Sequence, residues 1–194
     1  MSSTTPTLKE STHKRIVDTA AKAIRRSGCN GTSIADIMKV AGLTHGGFYA
    51  HFASRDAMLA EAVDCAGNES VAALKQAAAQ AAPRDALQAI AGAYLSRNHV
   101  ENVEEGCLIA ALASEIPRQV PEVRCAATRV VEQMIDLVAR HANGAGGPGT
   151  HEQALATVAT MVGALVLART VEDPALADAL LKAALTRLPH ADSC

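Results

Sequence analysis

Between Gly28 and Ser54 the chain is punctuated so tightly that only short helices can form there. Before that stretch, Ile16, Val17, Ala20, Ala23 and Ile24 recur at three- and four-residue steps. Lys14, Arg15, Lys22, Arg25 and Arg26 fall mostly on other faces, so Leu8 to Arg26 is expected as one amphipathic helix. Ser27-Gly28 stops it, and Asn30-Gly31 adds a second breaker. Thr32 or Ser33 can then cap a short helix over Ile34 to Val40, with Asp36 near its positive end, until Ala41-Gly42 ends it. Thr44 can cap another helix almost at once, with the apolar Leu43 just before it. Two short helices joined by a glycine turn, after a longer one, make a helix-turn-helix plan. In that plan the first of the pair braces the second, and the second fits the major groove of DNA.

The rest of the chain keeps the helical period. Ser54, with Asp56 in the first turn, opens a long helix to about Ala81, and Pro83 ends it. Further helices are expected over Asp85 to Val100, Cys107 to Glu115, Val123 to His141, Glu152 to Arg169 and Pro174 to Arg187, which makes about nine. Two Phe, two Tyr and no Trp in 194 residues, with abundant Ala and Leu, also favour helix over sheet. The fold class is therefore all-α, and the 49% apolar content is enough for a real core. Asn143 to Gly149 is the one flexible, low-complexity stretch. The expected division is a head over residues 8–56 and a helical body over 57–190, with the helix over 54–81 as the lever between them.

Composition narrows the function. The net charge of −2 hides a basic first quarter, +4 over residues 1–56, on an acidic remainder of −6. That asymmetry suits a local polyanion-binding module. The polar opening Met1 to Thr12 carries no apolar signal segment, and the uncharged run Ala154 to Ala168 is short for a bilayer span, so a cytoplasmic chain with no membrane partner is expected. Cys29, Cys65, Cys107, Cys125 and Cys194 form no C-x-x-C pair and have no histidine at zinc-ligand spacing, which points to free thiols and no metal. No phosphate-cradling glycine loop or nucleophile elbow is present either. Neither catalysis nor a cofactor is expected.

Three of the four aromatic residues, Phe48, Tyr49 and Phe52, crowd into the run Thr44 to Phe52 beside two glycines and two histidines. Thr32-Ser-Ile-Ala-Asp-Ile37, Ala41-Gly-Leu-Thr44, Gly47-Phe-Tyr-Ala-His-Phe52 and Ser54-Arg-Asp-Ala-Met-Leu59 together resemble the DNA-binding domain of the TetR family of bacterial transcriptional regulators. The resemblance covers about residues 13 to 60. Met38 stands where the family commonly has Ala, Arg55 where it has Lys, and Asp56 where it has Glu. The last two keep the sign of charge, whereas Met38 can alter how the two short helices cross.

The resemblance implies a phosphate contact for the Tyr49 hydroxyl, which positions the protein without reading sequence. Phe48 and Phe52 are expected in the core. His45, in the first turn of the reading helix, is a candidate for base edges or phosphate. Gly46 and Gly47 cost a helix roughly 1 kcal/mol each relative to Ala, so the backbone there is expected to come close to DNA, or to the preceding helix. Thr32, Ser33 and Thr44 can offer hydroxyls and helix-start amides to phosphates, or simply cap. Lys39, His51 and Arg55 are further phosphate candidates, and Lys14 and Arg15 weaker ones.

In the body, Cys107 follows Gly106 at a helix start, but Glu104 and Glu105 oppose a thiolate there. Some relatives sense electrophiles or oxidants through a cysteine near this point, which makes Cys107 a candidate sensor; a small buried core residue is the alternative. Arg97, His99, Glu115, Arg118 and Arg129 are candidates for lining a ligand cavity, otherwise built of Leu, Ile, Val, Met and Ala and suited to an apolar or amphipathic ligand. What the resemblance implies is a repressor that binds a near-palindromic operator as a homodimer and is released by a small molecule or electrophile. The dimer seam is expected at helices 152–169 and 174–187, whose apolar runs exceed what one monomer can bury. The competing expectation is a non-enzymatic architectural or partner-binding helical protein.

Overall fold

α1 (Leu8–Ser27) begins with a capping box: the Thr7 hydroxyl accepts from Glu10 N at 3.2 Å, and Glu10 accepts from Thr7 N at 2.7 Å. It ends at Gly28 and buries Ile16, Val17, Ala20, Ala21 and Ile24. Arg25, expected on a solvent face, is buried as well. Its guanidinium pairs with Glu69 at 2.8 Å and donates to the Ala66 and Gly106 carbonyls. A computed structural model describes residues 6–142 and 150–188 of the chain. The glycine-rich stretch Asn143 to Gly149, Cys194 and the end of the expected body lie outside the described residues.

α2 (Ile34–Val40) is capped by Ser33, whose hydroxyl accepts from Asp36 N at 3.1 Å. Thr32 does not cap: it is buried and its hydroxyl donates to the Gly28 carbonyl at 3.0 Å. Gly42 takes φ 70, a left-handed turn that an L side chain resists, and Leu43 N then bonds back to Met38 O at 2.8 Å. The next element is not the expected α-helix but a tight 3₁₀ turn, His45–Ala50, and Thr44 at its start makes no side-chain cap bond. Two adjacent glycines and the three-residue closures of Gly47 N on Thr44 O at 3.0 Å and His51 N on Phe48 O at 2.9 Å fit this shorter, tighter coil.

α3 (Arg55–Ala79), capped by Ser54, crosses from head to body. The helix expected over Asp85 to Val100 is split at Leu95-Ser96 into α4 (Ala86–Tyr94) and α5 (Arg97–Glu101). Ser96 caps α5, its hydroxyl accepting from His99 N at 3.2 Å, and that local bond competes with helix continuation. α6 (Leu108–Leu112) is shorter than expected, and α7 (Pro121–His141), α8 (Thr150–Thr170) and α9 (Pro174–Arg187) complete the body. Nine α-helices and no strand occur among the described residues.

α3 is the central post, packed on α1, α4 and α7, while α8 packs on α7 and α9. α3 and α7 meet at Gly67, where a Cβ would stand 2.0 Å from Val130 Cγ2. α8 is apolar enough over His151–Thr170 to cross a bilayer by length and composition, yet it lies against α6, α7 and α9 with Met161 and Leu165 fully buried.

Candidate nucleic-acid interface and internal cavity

In the head, Phe48 and Phe52 stack with ring centroids 5.3 Å apart, and Phe52 stacks on His13 at 4.5 Å. Together with Ile16, Ile37, Met38 and Met58 they form its core. This anchor leaves the other side of the 3₁₀ turn free. Tyr49 meets Phe48 only edge-on, at 5.2 Å, and is 67% exposed, so its hydroxyl faces solvent rather than the core.

Ser33, Lys39, Thr44, His45 and Gly46 are exposed in the same head, and Gly47 is half-buried. Neither glycine is needed for packing: a Cβ at Gly46 would meet nothing within 4 Å, and one at Gly47 would make ordinary contact with Met38 Cε at 3.7 Å. Neither has a positive φ. Crowding by the preceding helix, one of the two reasons expected for these glycines, is therefore absent.

Three candidates turn inward. Thr32 is buried, as described. The Arg55 guanidinium donates to the Cys29 and Thr32 carbonyls, bracing the turn between α1 and α2. His51 is half-buried with Nδ1 unpartnered, 6.0 Å from the His13 ring, and burial first, then His13, lowers its pKa. Lys14 pairs with Asp18 at 2.6 Å, and Arg15 is exposed on α1.

In the body, a cavity of about 150 Å³ lies between α3, α4, α5, α7 and the turn before α6, and it opens to solvent past Ala73, Ala93, Asn98 and Asn102. Its walls include Leu74, Tyr94, His99, Gly106, Cys107 and Met134. Of the cavity candidates read from the sequence, only His99 is there. Arg97 pairs with Asp178, Arg129 with Asp64 at 2.5 Å, Glu115 accepts from Cys29 N at 2.9 Å, and Arg118 is exposed. The lining is also more polar than expected, with Ser70, Asn98, Asn102 and Glu105 on it. Tyr94 and Asn102 carried no sequence signal, because only the break after Tyr94 brings α4 and α5 to one cavity.

Cys107 is 1% exposed and lies in the cavity wall, with its N–H donating to His99 Nε2 at 2.8 Å. The His99 Nδ1 then donates to the Tyr94 carbonyl at 2.7 Å, which fixes the neutral tautomer, and burial lowers the His99 pKa. Cys29 and Cys65 are pushed up to about 11, by burial first and nearby carboxylates next, and so stay protonated thiols.

The turn Val103–Glu105 joins this cavity to the head. Glu105 accepts from Lys22 and Glu104 from Arg26, at 2.6 and 3.0 Å, while the Gly106 carbonyl accepts from Arg25.

Residues 16–62 match the family model described as bacterial regulatory proteins, tetR family, and residues 83–182 match that of the transcriptional regulator LmrA/YxaF-like C-terminal domain. An HTH-type transcriptional regulator of Mycobacterium tuberculosis H37Rv is 31% identical over 168 residues, covering 82% of this chain and 85% of its own. Among solved structures, a TetR transcriptional regulator from Chloroflexus aurantiacus superposes with TM-score 0.77 at 26% identity, over 93% of each chain. The reduced form of Escherichia coli NemR shares the fold, with TM-score 0.78 at 19% identity over 92% of this chain and 95% of that one. The chain belongs to the tetR family of bacterial regulatory proteins and is a non-enzymatic helix-turn-helix transcriptional regulator.

Proposed function

We propose that this regulator is a cytoplasmic, ligand-responsive repressor that binds a near-palindromic operator as a homodimer. The head, residues 8–56, docks the 3₁₀ turn His45–Ala50 in the major groove. The body, residues 57–190, dimerises and holds the ligand. One observation carries the DNA contact: Tyr49 is 67% exposed on a turn whose neighbouring glycines have no packing reason to be glycine. Bare backbone at Gly46 and Gly47 can approach a phosphate or base edge closely, with Thr44, His45, Ser33 and Lys39 around it. Thr32, His51 and Arg55 serve the head's own structure in this scheme.

The dimer seam is α8 and α9. Leu155, Leu167 and Leu176 are 43%, 52% and 47% exposed there, apolar surface that a two-fold partner would cover. Ligand binding in the body cavity would favour a head spacing that no longer matches successive grooves, by as much as its differential affinity allows. Two connections can carry the shift: α3, and the Val103–Glu105 turn that is both cavity wall and anchor of α1. An electrophile would have to enter the cavity to reach Cys107.

The test starts from DNA selected out of a random library by the purified full-length protein. Tyr49→Phe should weaken binding to the selected site by roughly two- to tenfold, the worth of one hydrogen bond, without moving the thermal midpoint. A Tyr49→Phe protein with unchanged affinity at matched salt refutes the phosphate contact. Failure to select any sequence refutes operator recognition.

A further inference from the structure

Arg169 on α8 carries a charge that nothing among the described residues neutralises. Its Nη2 donates to the His99 carbonyl at 2.6 Å, but Nε and Nη1 are buried without a partner. Burial is the dominant influence on it and pulls its pKa down, and the groups beside it among the described residues are the Cys107 thiol and the Tyr94 phenol rather than a carboxylate. The guanidinium stands directly behind the cavity wall: a Cβ at Gly106 would lie 2.7 Å from Arg169 Nη2 and 2.8 Å from His99 Cδ2.

Tyr94, 1% exposed on that wall, has its hydroxyl beside the Cys107 thiol but makes no well-formed hydrogen bond. The acceptors nearby are occupied. His99 uses both ring nitrogens, and the Gly106 carbonyl takes the Ser70 hydroxyl at 3.0 Å as well as Arg25. Glu105, the one carboxylate lining the cavity, is held by Lys22 at 2.6 Å. The site therefore holds three buried donor atoms, Tyr94 Oη and Arg169 Nε and Nη1, and one positive charge with no carboxylate against it among the described residues, a set that an anion complements.

We propose that the cavity binds a small organic carboxylate, which accepts from the Tyr94 hydroxyl while Arg169 offsets its charge from behind the Gly106–His99 wall. The apolar part rests on Ala73, Leu74, Ala93 and Met134, in a cavity of about 150 Å³, room for about one six-membered ring. This rests on the proposed ligand response and specifies the chemistry of the ligand.

Benzoate is the probe, with benzamide and benzyl alcohol as neutral controls, titrated into the full-length protein by calorimetry. Benzoate should bind saturably and about tenfold or more tightly than benzamide, as a charge-assisted contact requires. Arg169→Met should remove that preference, Arg169→Lys should restore part of it, and Tyr94→Phe should weaken benzoate binding with the fold intact by circular dichroism. The inference is overturned if benzoate does not saturate, if benzamide binds as well, if folded Arg169→Met keeps the preference, or if folded Tyr94→Phe binds benzoate like wild type. Operator binding by the unliganded protein is measured separately in a gel shift. A protein that binds DNA but not benzoate defeats this inference alone, whereas one that binds benzoate but no DNA defeats the proposed regulation.

Discussion

Gly46 and Gly47 show what a single residue can report about function. Each stands in a helical turn without a positive φ, and each would accept a methyl group sterically. Replacing either with Ala should therefore hold or raise stability, by up to about 1 kcal/mol, because Ala suits a helical turn better. The same change should reduce affinity for the selected operator in a gel shift, most where backbone approaches DNA. Unchanged affinity in both variants would mean that the glycines serve neither packing nor recognition. Arg25 shows the opposite limit. Its place on the helical wheel put it outside, and only the partners Glu69, Ala66 and Gly106, all distant in sequence, account for a buried guanidinium.

At the scale of elements, close approach and local capping decide the shape of the body. α3 and α7 meet across Gly67, so Gly67→Ala should destabilise the protein by roughly 1–3 kcal/mol through overpacking against Val130. Combining it with Val130→Ala should recover part of that loss, as read from urea midpoints of the four proteins in the cycle. The α4–α5 break carries a pH signature. His99 is neutral with both nitrogens bonded, and burial lowers its pKa below the unfolded value. Its contribution to stability is thus full above the ordinary histidine pKa and is lost as pH falls below it, since the unfolded chain takes up the proton more readily. Urea midpoints should fall between about pH 7.5 and 5, and the slope should flatten in His99→Gln. An equally steep slope in that variant would assign the dependence to other groups such as His51, whose pKa is lowered too.

The whole molecule is a head and a body sharing α3, with a second tie through the Val103–Glu105 turn. The surface pairs in that tie, Lys22–Glu105 and Arg26–Glu104, are exposed and screened by solvent, hence weak, which suits a joint that shifts in the proposed ligand response. At this scale the exposed leucines of α8 and α9 form the seam of the proposed dimer. Leu167→Glu should convert a dimer into monomers in sedimentation and abolish tight operator binding, since one head gains too few contacts alone. A Leu167→Glu protein that remains dimeric places the seam elsewhere.

The helix-turn-helix plan was legible in the sequence because it rests on local chemistry: Ser33 and Ser54 as caps, Gly42 as a left-handed turn, and one amphipathic period through Ile16 to Ile24. The aromatic cluster could likewise be divided from sequence into core Phe48 and Phe52 and surface Tyr49. Long-range packing decided the rest. Whether Arg55 reaches DNA or braces Thr32, whether Cys107 is exposed or walls a cavity, and which residues meet there depend on side chains brought together from α3, α4, α5, α7 and α8. Periodicity records which face of a helix is apolar, but it carries no information on which distant face comes to lie against it. The Arg169–Tyr94–Cys107 cluster spans two helices and a turn from far-apart stretches of sequence, so it exists only in the folded body.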